Sequence, residues 1–152
     1  MANSAVAGGS STLSKSAAMY PANVPVFDHA FGAYLWEYYR PGRWIDYVSG
    51  LLSVTLGHGR QEVIAAVGEQ IVAGGWAWPT APALEEEVAD TLRRLCGYPD
   101  GQVRFTCSGT HACEAAVRIA RAVTGRYRVI SAGYHGFSDA VLTTPPGWGV
   151  PP

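Results

Sequence analysis

The distribution of large hydrophobic residues separates a sparse leader from a remainder rich in secondary-structure signals. Residues 1–18 consist mostly of Ala, Ser and Gly, so ordering them would bury little apolar surface against the cost in chain entropy. We therefore expect a disordered leader. Aromatic and β-branched residues then fill Tyr34–Tyr38 and Trp44–Val48, which flank the turn-forming residues 40–43. This pattern predicts a β-hairpin.

Helical periodicity follows the hairpin in two segments. Within residues 61–72, apolar side chains recur at positions 63, 64, 67 and 71, and two glycines end the pattern. We expect an amphipathic helix with one buried face. A second helix is predicted over residues 83–95, because glutamates fill its first turn and Gly97 and Pro99 follow its end.

Residues 102–131 show the order strand, turn, helix, strand. Val103–Thr106 and Arg128–Ser131 have strand character, and His111–Val123 between them has helical character. Such a unit is expected to be parallel and right-handed. Two strands do not complete a parallel sheet. The predicted fold class is α/β, in which an N-terminal hairpin and helix region leads into a larger domain with an incomplete, mostly parallel sheet.

The predicted organisation is therefore a leader at 1–18, a hairpin and helix segment at 19–82, and the first part of a large domain at 83–152. The chain has 152 residues, of which 15% are charged, and a formal net charge of −1. This composition is typical of a soluble globular protein and offers no basic surface for nucleic acid. No apolar run approaches the roughly 20 residues that span a bilayer, so we expect no membrane association and a cytoplasmic location.

Three cysteines and one lysine limit the chemistry of the chain. Cys96, Cys107 and Cys113 show neither a CxxC pair nor a zinc-like spacing with histidine. We therefore expect no metal site, and we interpret the cysteines as reduced, buried small hydrophobic residues. Lys15 is the only lysine and lies in the predicted leader. A flexible segment does not hold a catalytic amine in place.

The turn Ser108-Gly109-Thr110 precedes the predicted helix of the βαβ unit. Unpaired amides and the helix dipole favour an anion at such a position, and the two hydroxyls could add hydrogen bonds to a phosphate. The alternative is a simple helix cap, since Ser and Thr are favoured there whatever is bound. The local pattern leaves both interpretations open.

The segment Gly133-Tyr134-His135-Gly136 follows the second predicted strand of the unit. Open α/β sheets bind ligands at the carboxyl ends of their strands, so Tyr134 and His135 could line a cofactor site beside the turn. Alternatively, Tyr134 is a packed core aromatic and His135 a hydrogen-bonded structural residue. Their joint position favours the functional interpretation.

The order of motifs over residues 20–140 resembles class III, fold-type I aminotransferases, in particular the glutamate-1-semialdehyde aminomutase-like branch. The motifs that carry the resemblance are Gly32–Trp36 with Trp44–Tyr47, Leu56–His58, Ser108–Thr110, Glu114–Ala116 with Ile119–Arg121, and Gly133–Gly136. Each motif alone is weakly specific, but their common order is highly specific.

The resemblance implies that the chain binds pyridoxal 5′-phosphate (PLP). It implies that Ser108, Gly109 and Thr110 hold the PLP phosphate, that the Tyr134 ring stacks on the pyridine ring, and that His135 lies beside it. It also implies that Ser49, Trp76 and Trp78 lie near an amine or amino acid substrate, partly across a homodimer interface.

The sequence departs from the family at several positions. His111 stands where an acidic residue usually follows the turn, Cys113 where a small polar residue is common, and Tyr20 where the aminomutase branch has a substrate-binding arginine. In the family, the Schiff-base lysine and the carboxylate that faces the pyridine nitrogen follow the Tyr-His-Gly motif. Neither Lys15 nor Asp139 is a suitable substitute, so we assign no catalytic residue.

Three hypotheses follow. The first is the N-terminal portion of a PLP-dependent aminotransferase or aminomutase, present as a fragment, a truncated product or one chain of a split enzyme. The second is a non-catalytic cofactor-cradle or assembly subunit that pairs with another chain through its exposed surfaces. The third is an unrelated α/β nucleotide or phosphosugar binder, which is disfavoured because the turn lacks the glycines of those motifs.

Overall fold

The computed structural model describes residues 5–6, 9–20, 24–75, 77–138 and 141. The chain divides into two compact units, Met1–Ala77 and Trp78–Pro152. Within the segment predicted as a leader, two short 3-10 turns cover Leu13–Lys15 and Ala17–Met19. The assignment of residues 1–18, 19–82 and 83–152 as separate regions stays a prediction.

A three-stranded antiparallel sheet forms the centre of the first unit. Its strands are β1 (Phe27–Phe31), β2 (Tyr34–Glu37) and β3 (Arg43–Ile45), in the order β1-β2-β3. The predicted hairpin is confirmed as β2 and β3, with Tyr34 opposite Ile45. Strand β1 was not predicted, because its polar Asp28 and His29 interrupt the apolar alternation and a bulge lies between Phe27 and His29.

Cross-strand side-chain pairs stabilise this sheet. The His29 ring stacks on Trp36 at a centroid distance of 4.9 Å. The Arg43 guanidinium lies 4.3 Å from the centroid of the Tyr34 ring, which is within the range of a cation–π interaction. These pairs join β1 to β2 and β2 to β3, so they support the register that the backbone hydrogen bonds define.

Two helical segments follow the sheet in the first unit. The segment α1 (Ser49–Leu52) is a single turn, and α2 (Gln61–Val72) has the bounds predicted from periodicity. The prediction of a buried face on α2 is wrong: its residues Val63, Ile64, Val67 and Ile71 are 49–53% exposed. Periodicity identifies the apolar face of a helix, but burial also requires a surface that covers it, and the described residues do not provide one.

The second unit contains α3 (Ala83–Leu95), as predicted, and α4 (Gly109–Thr124). Helix α4 begins two residues before the predicted start at His111, because Ser108 caps it. The flanking segments 101–106 and 125–132 are outside helices and strands. The predicted parallel strands are therefore absent from the described chain, since a segment becomes a strand only when another backbone pairs with it. No helix in the described ranges is long and apolar enough to span a membrane.

Candidate functional site

The N-terminus of α4 presents backbone donors and hydroxyl groups at one point. The Ser108 Oγ accepts a hydrogen bond from the His111 amide at 3.3 Å, which satisfies one of the free amides of the first turn. The Gly109 and Thr110 amides donate to no other described residue. Two free amides therefore remain at the positive end of a 16-residue helix. This arrangement suits a phosphate group.

Thr110 connects this turn to the loop that carries Tyr134 and His135. Thr110 is a buried polar residue, at 8% exposure, and its Oγ1 accepts a long hydrogen bond of 3.4 Å from the Phe137 amide. Gly136 lies directly against it, because a Cβ built on Gly136 would stand 2.7 Å from Thr110 Oγ1. The structure thus brings together two motifs that are 27 residues apart.

Tyr134 and His135 occupy different environments in this loop. The Tyr134 side chain is 78% exposed, which excludes a packed core position and leaves the ring faces accessible. The His135 Nε2 donates a hydrogen bond of 2.8 Å to the Ala132 carbonyl. His135 also lines a cavity of about 260 Å³ together with Cys113 and Val141. This hydrogen bond supports the structural interpretation of His135, and its position beside a cofactor stays a prediction.

His111 makes a side-chain contact at the turn that the sequence did not indicate. Its Nδ1 atom lies 2.8 Å from Ser108 Oγ and 3.1 Å from Cys107 Sγ. The prediction of buried cysteines is wrong, since Cys96 and Cys107 are exposed and Cys113 is half-buried. Cys96 and Cys107 stand at helix ends, where the chain leaves the helix surface and side chains meet solvent.

Ser49, the predicted substrate-side residue of the first unit, begins the unusual turn α1. Residues Ser49, Gly50, Leu51 and Leu52 all have φ between 50° and 67°, so the turn is left-handed. Such backbone costs about 1–2 kcal/mol for each residue with a side chain. Asp46 anchors the start of the turn: its Oδ1 accepts hydrogen bonds from the Val48 and Ser49 amides at 3.0 and 2.8 Å.

The second oxygen of the Asp46 carboxylate binds His58, near the end of the loop between β3 and α2. Its Oδ2 accepts a 2.7 Å hydrogen bond from His58 Nε2, and the Asp46 side chain is only 7% exposed. This hydrogen bond is the main cause that lowers the pKa of the Asp46 carboxyl, and the Ser49 and Val48 amides lower it further against the opposing effect of desolvation. Asp46 and His58 belong to two of the resemblance motifs, which is the signal that could have identified them.

Trp76 and Trp78 are the other two positions predicted near the substrate. Trp76 lies outside the described residues. Trp78 is 49% exposed, and no hydrogen bond or ring contact within the described part of the chain links it to the Ser108–Thr110 turn. Lys15 ends a three-residue 3-10 turn. The site that the structure assembles therefore consists of the α4 N-terminus and the loop at 133–137.

The chain resembles known proteins of one family. A family model described as aminotransferase class-III matches residues 17–145. The chain belongs to the class III aminotransferases. A glutamate-1-semialdehyde 2,1-aminomutase from Methanothrix thermoacetophila is 39% identical over 139 residues, which is 89% of this chain and 30% of that relative.

Solved structures of transaminases also superimpose on the chain. An omega-transaminase from Sphaerobacter thermophilus superimposes with a TM-score of 0.82 and 28% identity, over 97% of this chain and 36% of that one. A taurine:2-oxoglutarate aminotransferase from Bifidobacterium kashiwanohense, in complex with PLP and glutamate, gives a TM-score of 0.72 and 32% identity over 78% of this chain and 27% of that one. The predicted α/β fold class is confirmed, and the chain spans about a third of these proteins.

Proposed function

We propose that this chain supplies the phosphate-binding and ring-stacking part of a PLP site, in the N-terminal portion of an aminotransferase or aminomutase that moves an amino group between an amine or amino acid and a carbonyl compound. The observation that carries the proposal is the contact between Thr110 and Gly136, which joins the phosphate-type turn to the aromatic loop. The family membership and the PLP complex of a structural relative support it.

The residues present fit the cofactor. The phosphate of PLP would accept hydrogen bonds from the Gly109 and Thr110 amides and from the Ser108 hydroxyl, and the α4 dipole favours its negative charge. The exposed Tyr134 ring has free faces for stacking on the pyridine ring. When bound, PLP acts as an electron sink that stabilises negative charge at the substrate carbon.

We assign no catalytic residue to this chain. PLP chemistry requires a lysine that is held in place at the cofactor. Lys15 is the only lysine, and it lies in a 3-10 turn of the first unit. The chain's own contribution is therefore binding: the turn orients the phosphate, the Tyr134 ring fixes the plane of the cofactor, and His135 lies next to it with its Nε2 held by the Ala132 carbonyl.

The substrate and partners of the site are part of the same proposal. Ser49, Trp76 and Trp78 would contact an amine or amino acid, and the complete site would form in a homodimer or with a complementing chain. The half-exposed apolar face of α2 supports such pairing. The unpaired cysteines agree with a cytoplasmic location.

A titration of the chain with PLP, followed by absorbance and fluorescence, tests the proposal. Ser108→Ala removes a hydroxyl from the turn and is expected to weaken PLP binding by about tenfold, which corresponds to roughly 1.4 kcal/mol. Thr124→Ala is the matched control, since it removes a hydroxyl at the opposite end of α4, and it should leave the affinity within about twofold. Circular dichroism verifies that both variants keep their helices.

Inorganic phosphate separates the two halves of the site. Tyr134→Ala should weaken PLP but not phosphate, whereas Ser108→Ala should weaken both. Equal affinities in all variants would overturn the proposal. Borohydride reduction followed by mass spectrometry should give no lysyl adduct, and a stable adduct at Lys15 would contradict the absence of a catalytic residue.

A second candidate is a non-catalytic assembly subunit, which the uncovered apolar face of α2 favours. This function requires no cofactor affinity. A stable, stoichiometric complex with another chain, together with the absence of any PLP-dependent signal, would support it against the first proposal. Charged substitutions on the face, such as Val67→Glu, should then abolish the complex without disturbing α4.

A further inference from the structure

We propose that Cys107 is a reactive thiol, a covalent modification site for soft carbon electrophiles, for which His111 acts as the base. The site rests on the pair of side chains: Cys107 Sγ and His111 Nδ1 are 3.1 Å apart and both residues are exposed. A nucleophile within hydrogen-bond reach of a base that is itself oriented by a third group is the general pattern of an activated nucleophile.

The third group at this site is Ser108. Its Oγ lies 2.8 Å from His111 Nδ1 and also accepts a hydrogen bond from the His111 backbone amide. Ser108 therefore contacts both the ring and the backbone amide of His111 at the first turn of α4. With the ring proton on Nε2, the single Nδ1 lone pair accepts a proton from either the thiol or the hydroxyl, and it takes the thiol proton when the Ser108 hydroxyl is turned away.

The start of α4 carries the positive partial charge of the helix dipole beside Cys107. Cys107 directly precedes the cap of α4, where the positive end of the helix dipole stabilises a negative charge. The first turn of α4 contains no acidic residue that would oppose it. The position that carries a carboxylate in the family resemblance is His111 here, so a base replaces a repelling charge beside the thiol.

The covalent step is a simple displacement. His111 Nδ1 takes the proton of the Cys107 thiol while the sulfur attacks the CH2 carbon of a haloacetamide or a related electrophile. An S–C bond forms, the carbon–halogen bond breaks, and the halide leaves with the bonding electrons. The imidazolium then returns its proton to water. No oxidant or further co-reactant is required.

The chain provides two internal comparisons. Cys96 is also exposed, but it caps the C-terminus of α3, at the negative end of that helix dipole. Cys113 lies within α4 and is half-buried. Neither forms a hydrogen bond to an imidazole among the described residues. Only Cys107 combines exposure with a base.

The modification would act on the phosphate turn, and this part rests on the proposed function. Cys107 is bonded to Ser108, and the added group would occupy the space in which Ser108 and His111 meet. Alkylation is therefore expected to weaken PLP binding by at least about tenfold, and saturating PLP is expected to slow the alkylation of Cys107.

The test is the rate of iodoacetamide labelling at each cysteine of the full chain, followed by peptide mass spectrometry. Cys107 is expected to react at least about tenfold faster than Cys96, a lower bound set below the roughly 100-fold or more that a positioned base provides in enzymes. His111→Gln should bring the rate of Cys107 to within about threefold of that of Cys96. His29→Gln, which removes an exposed histidine of the first unit, should leave the labelling rate of Cys107 unchanged.

Equal rates at Cys96 and Cys107, or a fast Cys107 in His111→Gln with normal circular dichroism, would overturn the proposal. The labelling contrast does not depend on the cofactor. If the contrast holds and PLP does not bind at all, the reactive thiol stands and the proposed function fails. If PLP binds but Cys107 and Cys96 react at equal rates, the proposed function stands and the reactive thiol fails.

Discussion

The Asp46 carboxylate and the His58 imidazole close the loop between β3 and α2 with a hydrogen bond of 2.7 Å. Asp46 holds the near side of this loop through the Val48 and Ser49 amides, and the backbone of His58 pairs with Gly32 on the far side. One side chain thus fixes the start of the left-handed turn α1 and ties the end of the loop to the sheet.

Asp46→Ala is expected to lower the free energy of unfolding by about 2–3 kcal/mol, because it leaves the part-buried Ser49 amide and His58 ring N–H without an acceptor. Asp28→Ala is the matched control: it removes the other aspartate that pairs with a histidine, at 3.2 Å, but both of those side chains are more than half exposed. Its effect should stay below about 0.5 kcal/mol. Urea unfolding followed by tryptophan fluorescence measures both variants, and equal losses would contradict the buried role of Asp46.

The lowered pKa of Asp46 predicts how this stabilisation depends on pH. The hydrogen bonds of His58, Ser49 and Val48 favour the ionised carboxyl in the folded chain, so the stabilisation is fully present above the unfolded-state pKa of about 3.9. It is lost as the pH falls through the lower folded-state pKa. The stability difference between the wild type and Asp46→Asn should therefore be fully present at about pH 5 and shrink towards about pH 2. A stability difference that grows on acidification would contradict the predicted direction of the pH dependence.

The left-handed turn predicts opposite effects for the same substitution at two glycines. Gly50 has φ of 60°, and a Cβ there would lie 2.8 Å from Val54 Cγ2 and 3.0 Å from Ser53 Oγ. Gly50→Ala is therefore expected to destabilise the chain by about 1–3 kcal/mol. Gly68 lies inside α2, where an added Cβ meets nothing within 4 Å, so Gly68→Ala should stabilise it by about 0.5–1 kcal/mol. Thermal unfolding of both variants decides whether the signs differ.

Local signals sufficed for the elements that are held by local interactions. The bounds of α2 and α3 follow from periodicity and from the glycines and acidic residues at their ends. The hairpin follows from two aromatic runs around a Pro-Gly turn, because strands this close in sequence pair with little loss of chain entropy. The Ser108 cap of α4 could also be located from sequence, together with the Ser108–Thr110 turn.

Features that depend on distant groups could not be predicted. The pairing of β1 with β2 is set by a neighbouring strand rather than by the polar sequence of β1. The left-handed conformation of Leu51 and Leu52 opposes their local preference and depends on the Asp46 anchor. The contact of Cys107 with His111 combines residue types that have no shared motif. For the segments 101–106 and 125–132, strand propensity alone does not supply a pairing partner.

Gly136→Ala tests the contact that joins the two halves of the candidate site. An added Cβ would lie 2.7 Å from Thr110 Oγ1 and 3.0 Å from both Thr110 Cα and Val141 Cγ2. Because Thr110 Cα is a backbone atom and the other two belong to short β-branched side chains, the loop at 133–137 must move away from the turn. The expected result is a loss of PLP affinity of at least about tenfold.

Gly133→Ala is the matched control, since Gly133 also has a positive φ, of 83°, but a Cβ there meets nothing within 4 Å. Both variants carry the backbone strain of about 1–2 kcal/mol, so only the first should lose the cofactor. If Gly133→Ala weakens PLP as much as Gly136→Ala, backbone strain rather than the Thr110 contact determines the site.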